Sequence, residues 1–387
     1  MELDWLRVIA LGLLIVYHVF CLYSGDWRMS SAHAGSWGLL ATAVLYPWRM
    51  ALVFLIGGIA ARYLIERAGA AGFVADRFKR LIVPFAFAVI VLIPIQDYVR
   101  LDEIGRPQPF YPIWLITDGF RIRPFHHVML PDVAHAWFLP YLFTYCAAVA
   151  VAWRWLRPLL DRLQALVEDV PIWLVFAGVA ALFAFEATVI APWKPQDGFV
   201  VTDIDAHVHF APIFLLGFLT GRSKRFAERL AMQATPFALL AAAIMPVSLT
   251  LLALHIRPGA PIDIISVRQA EALYGAAMLF AVLGLAQRSL KAAGPALGVA
   301  SDAIMPIYLL HQTVLVVVAD NVARLHLPLT AEFPLVVGAT VLGPLAAYFL
   351  VIKRSRTLRF LFGMRFAPKT AARPAGSPPG VEPLART

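Results

Sequence analysis

Apolar positions along this chain fall into runs of about 20 residues, the length of helix that crosses the hydrocarbon core of a bilayer. Short polar or charged segments separate the runs. Backbone amides within a bilayer must be satisfied inside the spanning segment, so each run is expected to form a helix. The pattern predicts ten spans, at Trp5–Ser24, Val44–Glu66, Leu81–Val99, His135–Leu156, Val170–Ile190, His207–Gly221, Pro236–His255, Ala270–Gln287, Ala303–Asp320 and Phe333–Ile352.

Two of these runs differ from the rest. The run at His207–Gly221 is short for a crossing, so we expect it to be tilted, re-entrant or extended at one end. The first run is not typical of a cleaved signal peptide, because its start is acidic, it contains Arg7 and no small-residue cleavage motif follows it. We therefore expect it to remain as a helix of the mature protein.

The composition agrees with a membrane protein. Of the 387 residues, 60% are hydrophobic and 15% are charged, and the mean hydropathy is +0.74. Soluble domains are about half apolar and about a quarter charged, and disordered chains are far less apolar. The sequence therefore predicts an all-α fold, a polytopic transmembrane bundle of about ten helices, and excludes a string of soluble domains.

The basic residues are distributed unevenly between the loops. With the N-terminus in the cytoplasm, 21 Lys and Arg residues fall in cytoplasmic segments and 9 in outside loops, within a net charge of +9. Such a bias predicts that both termini are cytoplasmic, and it explains the basic balance without a nucleic-acid partner. Residues 1–365 are predicted to form the membrane domain. Residues 366–387, rich in Pro, Ala and Gly, are expected to be a disordered basic tail in contact with membrane lipid.

The first span carries two ionisable residues, which are costly inside a bilayer and are therefore candidates for function. Arg7 and His18 share one helical face, about 16 Å apart along the axis, and Asp4 lies on the same face. Two interpretations stay open. The face contacts a charged ligand near the cytoplasm and a reaction centre deeper in the membrane, or Arg7 snorkels and His18 is satisfied by a neighbouring helix.

A pair of arginines precedes the third span. Arg77 and Arg80 are three residues apart, so a helix presents both guanidinium groups on one face. Planar guanidinium groups bind phosphate oxygens in a bidentate manner, which makes the pair a candidate phosphate site. Ordinary positive-inside charge is the other interpretation.

Polar residues also mark the fourth and ninth spans. His135 and Trp137 stand at the start of span four. His135 is either a ligand contact or a solvated residue at the helix start, and Trp137 is either a substrate contact or a residue of the interfacial aromatic belt. Tyr308 and His311 share a face of span nine within a hydrophobic run, so they need polar partners and are predicted to face the protein interior. They are either packing contacts between helices or the lining of a cavity.

Four alternating residues, Asp203, Asp205, His207 and His209, precede the sixth span. In an extended segment they would share one face and would suit a metal. Nothing in the sequence fixes that geometry, and the stretch runs into a helix, so we expect an acidic outer loop and no metal site. The sequence also lacks a phosphate-binding glycine loop, a zinc motif and a nucleophile elbow.

Taken together, the motifs resemble the acyltransferase type three family of integral-membrane enzymes, and the resemblance covers nearly the whole chain. Each motif is weak alone, but their order and spacing are specific. The motifs are Asp4-Trp5-Leu6-Arg7 followed by His18, Arg77 with Arg80, His135-Ala136-Trp137-Phe138-Leu139, and Ile307-Tyr308-Leu309-Leu310-His311.

Within that family, the chain is most similar to the glucan biosynthesis protein C branch, which succinylates osmoregulated periplasmic glucans. The similarity rests on Tyr23-Ser24, on the segment at 212–217 and on the segment at 358–363. Ala136 departs from the Leu expected there, which leaves the acceptor specificity open.

The resemblance implies a multi-pass enzyme of the bacterial inner membrane that transfers an acyl group other than an amino-acyl group. Its donor is a cytoplasmic acyl-CoA carrying a succinyl or acetyl group, and its acceptor is a hydroxyl of a periplasmic glucan or another cell-envelope polysaccharide. No permanently bound cofactor is expected. The family motifs assign the first-helix histidine, His18, and the arginines Arg7, Arg77 and Arg80 to the reaction and its donor.

Roles within the site remain open on the sequence alone. His18 is either the general base or a transient acyl carrier, and Tyr308 or His311 orients it or stabilises the oxyanion. His135, Trp137 and Asp4 are expected to contact substrate. Two other functions are also weighed: a flippase for a glycan or lipid-linked sugar that uses the same polar face without acyl transfer, and a non-catalytic scaffold for polysaccharide assembly.

Overall fold

A computed structural model describes most of the chain in side-chain detail. The described residues are 2–25, 27, 29–103, 108–120, 123–125, 128–196, 198–259, 262–290 and 294–364. The predicted tail at 366–387 lies outside the described residues.

Helices dominate the described residues. The α-helices are α1 (Glu2–Leu22), α2 (Ser36–Arg77), α3 (Val83–Phe87), α4 (Ile93–Glu103), α5 (Tyr111–Trp114), α6 (Phe138–Asp169), α7 (Ile172–Phe185), α8 (Ala191–Trp193), α9 (Ile204–Thr220), α10 (Lys224–Met232), α11 (Ala234–His255), α12 (Ile264–Ser289), α13 (Pro295–Ala323), α14 (Leu329–Leu350) and α15 (Arg356–Leu361). Turns of π-helix occur at Phe78–Ile82, Ala88–Leu92, Leu115–Gly119 and Glu186–Ile190, and 3₁₀ turns at Ala134–Trp137 and Ile352–Arg354. A short antiparallel hairpin pairs β1 (Arg123–Phe125) with β2 (Val128–Leu130).

Eight helical segments of the described chain are long and apolar enough to cross a membrane, or nine if α9 and α10, bent by 111°, count as one span. One segment, Ser36–Leu101, contains 66 residues. As a straight helix it would be about 99 Å long, roughly three times the hydrocarbon core. Gly69 breaks it, with φ 70° and ψ 167°, a conformation that glycine adopts without strain. Divided there, each part is longer than the roughly 20 residues that one crossing needs. The predicted all-α polytopic bundle is confirmed.

The sixth span begins earlier than predicted. The Oδ1 atom of Asp203 accepts a hydrogen bond from the backbone N–H of Ala206 at 3.0 Å and caps the helix. Asp205 therefore lies inside α9 together with His207 and His209, and the expectation of an outer loop was wrong for Asp205. The short length of α9 is explained by the sharp bend that leads into α10.

The ninth span also starts earlier. It begins at Pro295 rather than at Ala303, because proline suits the first turn of a helix, where its missing N–H costs nothing. Gly294 is the N-cap residue and provides no side-chain cap. The first-turn amides of α13 therefore lack the side-chain acceptor that capping residues supply elsewhere in the chain.

Glycines allow the central helices to approach each other closely. A Cβ atom built on Gly58 of α2 would lie 2.0 Å from the carbonyl oxygen of Phe214, and one built on Gly217 of α9 would lie 2.2 Å from that of Leu55. Small residues at such crossings let membrane helices gain dispersion energy that bulky side chains would prevent. The α2–α9 contact therefore fixes the position of α2, which carries several residues of the cavity described below.

The Gly58→Leu variant tests this packing. Because the clash is with backbone that cannot rotate away, we expect a loss of stability near the upper end of the range for overpacking, about 3 kcal/mol, visible as a lower melting temperature in detergent. Gly178→Leu is the matched control, since a Cβ there meets nothing within 4 Å and the residue is exposed on α7. Equal melting temperatures of the two variants would contradict the close crossing.

Candidate functional site

A cavity of about 610 Å³ lies among α1, α2, α6 and α13. Asp4, Arg7, Arg77 and Arg80 line one end of it, and His18 lies at the other end. The side chains between the two ends are mostly apolar. We call the arginines Arg7, Arg77 and Arg80 the basic mouth. We call His18, His135, Tyr308 and His311 the histidine cluster.

Carboxylates hold the arginines of the basic mouth in place. The Nη1 atom of Arg7 lies 3.2 Å from Oδ1 of Asp4, and Nε of Arg80 lies 2.8 Å from Oδ1 of Asp76. Asp76 also pairs with Arg77. One carboxylate thus serves two guanidinium groups, which leaves a net positive charge at the mouth. Such a charge attracts an anionic ligand.

The start of α13 adds a second feature that favours anions. Gly294 and Gly298 line the same opening, and a Cβ atom on either would meet nothing within 4 Å. In the first turn of α13, Pro295 has no N–H and the Leu297 N–H donates to the carbonyl oxygen of Gly294 at 3.1 Å, so the anion-favouring feature is the positive end of the helix dipole. The mouth therefore combines three arginines, a helix N-terminus and open space.

The histidine cluster joins α1 to α13 through a direct contact between two rings. The Nε2 atom of His311 lies 3.0 Å from Nδ1 of His18, and the Nδ1 atom of His311 lies 2.6 Å from the carbonyl oxygen of Tyr308. His18 is 9% exposed and lines the cavity. His311 is fully buried behind it.

These contacts determine the tautomers of two neutral rings. A carbonyl oxygen only accepts hydrogen bonds, so Nδ1 of His311 carries the proton and donates to Tyr308. Nε2 of His311 then has the lone pair and accepts from Nδ1–H of His18. The remaining nitrogen of His18, Nε2, is left with a lone pair, which is the state that a general base or a nucleophile requires.

His135 is fixed by contacts with the same helix. Its Nε2 atom lies 3.1 Å from the carbonyl oxygen of Leu309, and its own carbonyl accepts a 2.6 Å hydrogen bond from the Tyr308 hydroxyl. Ala134, directly before it, has φ 40°, a strained conformation for a residue with a side chain, and its N–H donates to Asp132 at 2.9 Å. The strained turn therefore fixes His135 at the cavity wall.

The residues singled out from the sequence largely meet at this cavity. Of the nine, eight line it: Asp4, Arg7, His18, Arg77, Arg80, His135, Trp137 and Tyr308. The ninth, His311, contacts His18 from behind. The indole of Trp137 packs edge-on against Tyr141 at 5.5 Å, and the Tyr141 hydroxyl donates to Asp203 at 2.6 Å.

Sequence reasoning missed one residue, Arg49 of α2, which lies at the inner end of the cavity and is 5% exposed. It belongs to none of the spaced motifs. The available signal was its position inside a predicted span, where an arginine is costly and is a functional candidate by default.

The alternating residues at the start of α9 have other partners. His209 pairs with Glu186 at 2.8 Å, and His207 contacts the Tyr145 hydroxyl at 3.0 Å. Within the described part of the chain, no group of three or more His, Cys, Asp or Glu residues is placed to hold a metal ion.

Comparison with known families now decides the class of protein. A family model described as an acyltransferase domain, of the acyltransferase 3 family, matches residues 2–349. The chain belongs to this acyltransferase family. No curated protein and no solved structure matches it. The family and the apolar helices together support a multi-pass membrane acyltransferase, whereas the glucan branch, the donor and the acceptor stay predictions.

Chemical labelling tests where the cavity opens. In a background with the buried cysteines Cys21 and Cys146 replaced by Ala, a membrane-impermeant maleimide is expected to label Gly298→Cys in inside-out vesicles but not in intact cells. Val201→Cys is the control for the opposite face, since Val201 is 93% exposed before α9. Labelling of Gly298→Cys only from outside would contradict a cytoplasmic basic mouth.

Proposed function

We propose that the protein transfers an acyl group from a cytoplasmic acyl-CoA to a hydroxyl of a cell-envelope glycan at the bacterial inner membrane. The observation that carries the proposal is the cavity that joins the basic mouth to the lone-pair nitrogen of His18. The family match supports acyl transfer over the flippase and scaffold alternatives.

The donor fits the basic mouth by charge. Acyl-CoA carries several phosphate charges and does not cross lipid, so its nucleotide end stays at the cytoplasmic face. Arg77 and Arg80 offer bidentate donors to the phosphates, and the α13 amides beside Gly294 add dipoles that favour the same charge. The flexible arm that ends in the thioester then follows the apolar part of the cavity inward. The rise of α1 from Arg7 to His18 sets this path at about 16 Å.

The reaction follows from the position of His18. As the hydroxyl oxygen of the acceptor attacks the thioester carbon, Nε2 of His18 takes the hydroxyl proton and the carbonyl electrons move to oxygen. The carbonyl re-forms as the carbon–sulfur bond breaks, and the CoA thiolate leaves with the proton from His18. His311 holds the ring of His18 through Nδ1, which orients it and fixes its tautomer.

The same lone pair also serves the alternative in which His18 carries the acyl group transiently, since a nucleophile and a base need the same nitrogen. The Tyr308 hydroxyl donates a hydrogen bond to the carbonyl oxygen of His135, so we assign Tyr308 to positioning of the turn that carries His135. His135 and Trp137 line the same cavity, which supports assigning them to contact with the acceptor. The aromatic face of Trp137 suits the apolar face of a sugar ring.

Glycan mass spectrometry and CoA release test the proposal with His18→Gln. Gln keeps a polar side chain of similar size but provides no base, so we expect kcat to fall by at least about 100-fold. His326→Gln is the matched control, because His326 is exposed and bonds only to the carbonyl oxygen of Arg324 among its described contacts. Both variants should accumulate in the membrane and melt near the wild-type temperature. Unchanged transfer by His18→Gln would reject the mechanism.

A further inference from the structure

Arg49 differs from the other buried arginine of α2 in its lack of a counter-ion. Arg62 pairs with Glu66 at 3.0 Å and with Asp161 at 2.9 Å. Arg49 has no ion pair with any carboxylate of the described chain. The Nε and Nη1 atoms of both arginines lack a hydrogen-bond partner there, so the two residues differ in their carboxylate partners. Both residues are 5% exposed, so the contrast lies in pairing and not in burial.

An unpaired guanidinium at this depth is costly. Removing a cation from water without a partner costs several kcal/mol, even after the protein relaxes. One compensating contact exists: the Arg49 guanidinium lies 3.6 Å from the centre of the Tyr17 ring. A cation–π contact of this kind contributes up to about 2 kcal/mol, which is less than a full ion pair. The residual cost indicates that Arg49 is retained for something other than stability.

The position of Arg49 indicates what it binds. It lines the same cavity as His18, and Tyr17, on which it rests, is the neighbour of His18 in α1. Its charge is close enough to His18, His311 and Tyr308 to interact electrostatically with each of them. Arg49 thus faces the end of the cavity that the acyl group would occupy, away from the nucleotide end at the basic mouth.

We propose that Arg49 binds a negatively charged oxygen of the acyl group at the reaction end of the cavity. This inference rests on the proposed function and adds a residue and a ligand chemistry to it. Two sources supply such an oxygen. One is the oxyanion that forms on the thioester carbonyl during transfer, and the other is a carboxylate at the far end of a dicarboxylic acyl group, such as succinyl, which a guanidinium binds in a bidentate manner.

The test compares Arg49→Met and Arg49→Gln with wild type in detergent, using acetyl-CoA and succinyl-CoA with extracted envelope glycan. We expect at least one donor to lose 100-fold or more in kcat/KM, on the order seen when an oxyanion donor or a charged hydrogen bond is removed. An equal loss of kcat with both donors identifies the oxyanion. A loss confined to succinyl-CoA, mainly in KM, identifies the carboxylate. Wild-type transfer of both donors by both variants would overturn the proposal.

Melting temperatures separate binding from a structural role. Replacing an unpaired buried cation by Met removes its desolvation cost, so Arg49→Met should melt at or above the wild-type temperature. Arg62→Met is the matched control on the same helix, and it should melt lower because Glu66 and Asp161 lose their partner. If Arg49→Met melts as low as Arg62→Met, Arg49 is structural and the proposal is rejected.

A binding measurement keeps this inference distinct from the proposed function. If the wild type transfers neither acyl group, the proposed function fails, and the thermal shift given by succinyl-CoA, acetyl-CoA and CoA is compared instead. A larger shift with succinyl-CoA than with acetyl-CoA or CoA, lost in Arg49→Met, supports anion binding by Arg49 even then, because only succinyl carries a negative charge on the acyl group before transfer. Shifts with succinyl-CoA that are the same in wild type and Arg49→Met overturn it, because no oxyanion forms without transfer.

Discussion

The contact between the rings of His18 and His311 is the interaction on which the site depends. It joins the first helix to α13 across 293 positions of the chain. The same contact determines which nitrogen of His18 holds a lone pair, because His311 is itself committed to the Tyr308 carbonyl. A polar contact buried in the membrane therefore serves packing and chemistry together.

The cavity connects two locations at different depths of the membrane, the donor site and the base. An anionic donor stays at the cytoplasmic face, while the reaction needs a base sheltered from bulk water. The helices place three arginines and a helix N-terminus at one end and the histidine cluster at the other, with apolar walls between them. The arginines at the mouth have carboxylate partners, which balance part of their charge when no ligand is bound. Arg49, at the deep end, has none among the described residues, which is the clearest sign that the inner end is built for a negative charge.

Much of this architecture follows from the sequence, for identifiable reasons. Apolar runs predict spans because a bilayer leaves few alternatives, and Arg7 and His18 share a face because helix geometry fixes their angle. The break at Gly69 falls between the predicted spans Val44–Glu66 and Leu81–Val99, whereas the early start of α13 was not predicted, since it depends on a single Pro within apolar surroundings. The sequence predicted that His18 and His311 each need a polar partner. It could not predict that they contact each other, because periodicity along one helix does not show which helix packs against it. Arg49 stood outside every motif, and its missing counter-ion and its place in the cavity lining distinguish it from Arg62.

The central claim is that a donor spans the cavity from the basic mouth to His18. The most direct test is an experimental structure of the full chain, by electron cryo-microscopy, with a thioether analogue of an acyl-CoA that cannot be cleaved. The account predicts phosphate density against Arg77 and Arg80, and the acyl carbon beside Nε2 of His18. Nucleotide density elsewhere, or an acyl chain that turns out into lipid before reaching His18, would contradict it.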